Sequence, residues 1–157
     1  MKEQPAVAMA LRERLLGTKP SDVGITPSDE LPHVWAALME WKMGANTVTL
    51  AAVADETTSL YFSTGGGIIG GGGHDTVRKA NRKFLVVMDK LLPLWVAKEP
   101  LAMVDTAVCF VALAYDGTHT GRDTEERLKT KKSPAWPAFY LGHDVIAQLR
   151  LSSPKLT

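Results

Sequence analysis

Ala107-Val108-Cys109-Phe110-Val111-Ala112-Leu113-Ala114-Tyr115, followed at once by Asp116-Gly117, is the stretch on which the fold turns. Nine apolar residues in a row are too few to cross a membrane as a helix. The run is rich in β-branched residues and ends at a strong hairpin turn, so it reads as a strand buried on both faces. Successive side chains of a strand point to opposite sides. Val108 and Phe110 therefore need cover on one side, and Cys109 and Val111 need it on the other.

Working outward, Thr118 to about Thr124 supplies the return strand, and a charged loop runs on through Lys132. Pro134-Ala135-Trp136-Pro137 leads into a last helix with Leu141, Val145, Ile146 and Leu149 on one face. Upstream, Thr47–Ala54 and Leu60-Tyr61-Phe62-Ser63 flank a turn at Asp55–Thr58 and form a second hairpin. His74-Asp75-Thr76 opens a helix to about Leu92, stopped by Pro93, with Val77, Phe84, Met88 and Leu91 on one face. Leu31, Val34, Trp35, Leu38 and Trp41 recur at helical spacing after Thr26-Pro27-Ser28-Asp29, which predicts a helix ending at Gly44. Residues 5–16 form a first helix, and 18–26 a linker rich in turn formers.

Two hairpins without regular strand–helix–strand alternation give an α+β domain: an antiparallel sheet of about four strands with helices packed on it. At 157 residues the chain is one domain, with 1–25 as an amino-terminal extension and 26–157 as the core. Apolar residues make up 45% and charged residues 22%, an ordinary globular balance. A net charge of +1 supplies no field toward nucleic acid or membrane, so any electrostatic function is local. A lone Cys109 excludes an internal disulfide and a multi-cysteine zinc site. The apolar stretch Ala6–Leu11 is too short for a secretion signal, and the expected compartment is the cytoplasm.

Val48-Thr49-Leu50-Ala51-Ala52-Val53-Ala54-Asp55 entered from a helix, then Leu60-Tyr61-Phe62-Ser63-Thr64-Gly65-Gly66, resembles the helix–hairpin opening of roadblock/LC7-type domains over about residues 28–124. The chain also resembles bacterial proteins of unassigned function. The roadblock resemblance implies a profilin-like fold, a dimer, and a role as partner or regulator of small GTPases and motors. It carries no residue role across, and the Gly65–Gly73 run and the charged loop at 122–132 depart from the family pattern.

Seven of the nine residues from Gly65 to Gly73 are glycine, between a strand and a helix. Backbone amides and a helix N-terminus in that setting can hold an anion. No Gly-Lys-Ser/Thr follows, so this is not a Walker loop. Arg78, Lys79, Arg82 and Lys83 crowd the first turns of the helix, against its dipole, with Asp75 as the nearby acid. A bound phosphate or carboxylate on Gly70, Gly71, Gly72, Gly73, His74 and Arg78 would relieve that. The glycines equally let the chain pass close beneath a helix or another subunit.

Of the four histidines, His74-Asp75 and His143-Asp144 are adjacent pairs, but no His-x-x-x-His spacing is present, so no metal site or cofactor is expected. Four tryptophans, with Phe110, Phe139 and the methionines, fit either a core or an interface. The leading reading is a non-enzymatic homodimer that acts as an interaction or regulatory module for a protein partner. The alternative is a binder of small anions at the glycine run. A hydrolase using His74 and Asp75 comes third.

Overall fold

The structure, a computed structural model, describes residues 12–68, 73–99, 101 and 104–152. The chain is α+β. Five full strands and one of two residues form an antiparallel sheet: β1 (Val34–Met43), β2 (Asn46–Val53), β3 (Thr58–Phe62), β4 (Gly67–Ile68), β5 (Ala107–Ala114) and β6 (Gly117–Thr124). Their spatial order is β4-β3-β2-β1-β5-β6. Four helices pack on it: α1 (described over 12–16), α2 (Asp75–Lys90), α3 (Glu125–Lys129) and α4 (Trp136–Ser152).

The decisive stretch is a strand, and all eight residues of β5 are buried. On the inner face Val108, Phe110 and Ala112 join Met39, Leu50, Leu60, Phe84, Met88 and Val145 beneath α2 and α4. On the outer face Val111 and Leu113 join Trp35, Leu38, Ala51 and Val53, with Leu15 and Leu16 of α1 and Ile25 packed over them. The second cover comes from the same chain, so pairing is not needed to shield β5.

The helix expected to end at Gly44 is instead β1, the central strand, hydrogen-bonded to β2 and β5 in register from Ala36↔Val53 and Ala36↔Leu113 to Trp41↔Val48 and Trp41↔Val108. A strand buried on both faces loses its alternation of apolar and polar residues. Here Leu, Ala and Met fill it, and their spacing mimics a helix. Pro27 and Pro32 hold the approach extended. β1 and the short β4 raise the sheet beyond the expected four strands. With a strand in that place, the helix on which the roadblock/LC7 resemblance counted does not precede the hairpin.

The charged loop at 122–132 contains the end of β6 and α3, whose start is capped by Thr124 Oγ1 accepting from the Arg127 amide. Of the first helix, residues 12–16 are helical, and 1–11 lie outside the described residues. No helix among the described residues is long and apolar enough to cross a membrane.

Two buried polar residues anchor α2. Asn81 donates to Thr58 Oγ1 at 2.7 Å and to the Thr57 carbonyl at 3.2 Å, tying the helix to the start of β3. Asp89 Oδ2 accepts from the His33 and Val34 amides at 2.9 and 2.8 Å, tying the helix end to the start of β1.

Candidate functional site

The glycine run divides under the structure. Gly70, Gly71 and Gly72 lie outside the described residues. Gly67 pairs with Tyr61 in β4, and a Cβ there would collide with the Leu60 carbonyl, so this glycine serves strand packing. Gly73 and His74 are exposed, and His74 takes the N-cap position of α2 without a side-chain cap bond. Arg78 pairs with Asp75 and lies 4.0 Å from Glu56 of the β2–β3 turn, while Arg82 lies 3.8 Å from Glu30. Arg78 and Arg82 therefore have acidic neighbours within the chain beyond Asp75, and their share of the dipole conflict that pointed to an anion is offset internally. The Asp75 carboxylate is turned to Arg78.

His143 packs its ring 4.5 Å from Phe139 and 5.3 Å from Trp41, and Asp144 accepts from Gln148. Burial lowers the His143 pKa below its ordinary value; Glu125 opposes this and Lys129 reinforces it. Ser63, before the glycines, bonds Asn46 and the Thr47 amide and closes the β1–β2 hairpin end. Among the described residues no group of three or more His, Cys, Asp or Glu side chains converges on a point that could hold a metal.

The polar side chains that do converge are elsewhere. A cleft of about 630 Å³ opens between the end of α2, the segment after it and β6. Its apolar wall is Pro32, Leu92, Pro93, Trp95 and Val96; its polar points are His33, Asp89, Lys90, Lys98 and His119. Trp95 is fixed on three sides. Its Nε1–H donates to the Met88 carbonyl at 3.2 Å, its ring stacks on Phe110 at 5.1 Å, and its ring edge lies over Gly121 of β6, where a Cβ would come within 2.8 Å.

The chain after Trp95 is stitched to β6. Ala97 and Thr120 exchange both backbone hydrogen bonds, at 3.1 and 2.8 Å, and Thr120 Oγ1 donates to the Glu99 carbonyl at 2.7 Å. That bridge sets Lys98 beside His119, with Nζ 3.3 Å from Nδ1. On the other side of the ring, Nε2 lies 2.8 Å from Asp116 Oδ1.

The neighbours assign the tautomer. An ammonium can only donate and a carboxylate can only accept, so the neutral ring with its proton on Nε2 satisfies both. The bond from His119 holds Asp116 below the usual carboxylate range against the opposing effect of burial, and the charge of Lys98 adds to the lowering. Burial and then the charge of Asp89 push the Tyr115 hydroxyl up. With both ring nitrogens engaged, His119 has no lone pair left to act as a base. The constellation presents a fixed cation next to an apolar wall, which is the make-up of a binding site.

On the outer face of the sheet, Glu40 stands between Thr49 and Cys109 in register. It accepts from Arg12 Nε at 2.6 Å, Arg12 Nη2 at 2.9 Å and Thr49 Oγ1 at 2.9 Å, with its side chain 3% exposed. Burial raises the Cys109 thiol pKa, and Glu40 adds to the effect. No family model, curated protein or solved structure matches the chain.

Proposed function

We propose that this protein binds a small carboxylate-bearing ligand with an apolar body in the cleft between the end of α2 and β6. One observation carries the reading: Lys98, held against His119, whose far ring nitrogen bonds Asp116, faces a wall of Trp95, Val96 and Pro93 across about 630 Å³. That volume suits a small molecule. The apolar wall supplies most of the affinity through burial, and Val96, 75% exposed in the free protein, gains cover when a ligand sits against it. Lys98 and Lys90 supply orientation, each as a point charge. The engaged ring of His119 argues for binding without turnover. The small-anion reading of the sequence is thus kept in kind and moved in place, from the glycine run to this cleft.

Thermal denaturation with a panel of aromatic and branched aliphatic carboxylates tests this, each paired with its neutral amide. A ligand at about 100 times its Kd stabilises by about 2.7 kcal/mol, a readily measured rise in Tm. The carboxylates raise Tm, their amides do less, and Lys98→Ala removes the difference while His74→Ala leaves it. If no carboxylate moves Tm at millimolar concentration, or if Lys98→Ala changes nothing, the reading fails.

A further inference from the structure

Asp89 uses only one of its two oxygens to hold the fold. The residue is 7% exposed, and Oδ2 accepts both the His33 and the Val34 amides. Oδ1 accepts no hydrogen bond among the described residues. Every buried side-chain oxygen among those residues has a partner, so Oδ1 is not sealed in the core. Asp89 lines the cleft beside the end of α2, and there its second oxygen meets water.

A carboxylate oxygen can only accept. The cleft therefore offers an acceptor at Asp89 together with donors at Lys98 and Lys90 and the apolar wall of Trp95, Val96 and Pro93. Neither lysine answers the acceptor. Lys98 is turned to His119, and neighbours in sequence on a helix, such as Asp89 and Lys90, do not face one another. A ligand whose only polar group is a carboxylate would cover Oδ1 without giving it a donor, which is unfavourable. It would also bring its own negative charge toward that of Asp89. An ammonium on the ligand removes both defects.

We infer that the ligand of the cleft is an amino acid with an apolar side chain. Its ammonium donates to Asp89 Oδ1, its carboxylate meets Lys98, and its side chain lies on Trp95, Val96 and Pro93. This rests on the carboxylate site proposed above and narrows it to a molecule that carries both charges. Two amides hold Asp89 in place, so the acceptor is set before the ligand arrives. A site with a shielded polar group waiting for a donor rejects analogues that lack one, because the group is then left unpaired.

Calorimetric titration with phenylalanine, 3-phenylpropionate, N-acetylphenylalanine and phenylalaninamide tests this, since the four share one ring and differ in their charges. The expected result is that phenylalanine binds the parent about tenfold or more tighter than each of the other three. Leucine against 4-methylpentanoate should repeat the order. Asp89→Asn is the matching variant: its one oxygen can still accept the His33 and Val34 amides, while an NH₂ group stands in place of Oδ1. In that variant phenylalanine should lose about tenfold, and 3-phenylpropionate should gain affinity because the like charge is gone. If 3-phenylpropionate binds the parent and neither phenylalanine nor leucine binds better than its deaminated analogue, the amino-acid assignment is overturned and the carboxylate site stands. The same holds if Asp89→Asn keeps the parent's preference for phenylalanine. If nothing in the panel binds at millimolar concentration, both readings fall. Where Asp89→Asn does not fold, the ranking of the ligands on the parent decides.

Discussion

Removing Arg12 should harm the protein more than removing the charge of its partner. In Arg12→Ala, Glu40 loses bonds of 2.6 and 2.9 Å and keeps, among the described residues, the Thr49 hydroxyl, on a side chain 3% exposed. Breaking a buried ion pair from one side costs about 3–5 kcal/mol, most of it the charge left behind. The guanidinium itself is 22% exposed, so water enters where it stood, and we place the cost at about 3 kcal/mol, the low end of that range. Its hydrogen bond to Glu40 raises Arg12 above its already high pKa, so the pair does not dissolve at alkaline pH within the assay range.

Glu40→Gln leaves instead a guanidinium at the edge, free to turn to water and to Glu13 at 3.4 Å, and should cost about 1–2 kcal/mol, nearer the worth of a hydrogen bond to a charged group. Arg12→Met with Glu40→Leu replaces the pair by apolar groups and should fall within about 1 kcal/mol of the parent. Urea denaturation followed by tryptophan fluorescence measures all three against the parent, with a common m-value as the check on two-state behaviour. If Arg12→Ala lies within about 0.5 kcal/mol of the parent, or if Glu40→Gln is the worse variant, Glu40 is not the shielded charge described here.

Two glycines give opposite expectations for the same substitution. Gly121→Ala drives a methyl to 2.8 Å from the immobilised Trp95 ring and should destabilise by about 1–3 kcal/mol, whereas Gly142→Ala meets the pliant Met39 thioether at 2.7 Å and gains about 1 kcal/mol of helix propensity, so it should sit near neutral; denaturant midpoints of the two variants rank them. His143 carries a pH dependence. Its folded pKa lies below 6.5, so the unfolded chain binds the extra proton first, and stability falls as pH drops below about 6.5 until the folded pKa is passed; urea midpoints at pH 7.5 and 5.5 should differ in the parent and differ less in His143→Phe.

Much of this architecture is legible in the sequence because its signals are local. The apolar run from Ala107, the turn at Asp116-Gly117, and the helix between His74 and Pro93 each declare themselves within a dozen residues, and each lies where expected. β1 does not, since a strand covered on both sides carries no alternation to distinguish it from a buried helix. The cleft is illegible for a different reason. It gathers residues 32–33, 89–98 and 119 through a carboxylate that bonds to amides 55 and 56 positions away, and through one backbone bridge from Ala97 to Thr120. The adjacent pairs His74-Asp75 and His143-Asp144 drew attention, yet the pair that forms is Asp116 with His119. A signal for it was present: the hairpin turn places a residue of the loop beside the strand residue three positions later.

The two buried carboxylates are held in different ways on the two sides of the sheet. Asp89 is bonded to the amides of His33 and Val34, donors that exist wherever β1 begins, so α2 and the cleft beside it are locked by the fold itself. Glu40 is bonded to a side chain on a segment joined to the sheet through residues 17–33, so its partner is defined by chemistry and not by chain continuity. A backbone donor cannot be removed by substitution without undoing the strand. A guanidinium on a side chain can be, which is why Arg12→Ala should leave the cleft at Asp89 unchanged.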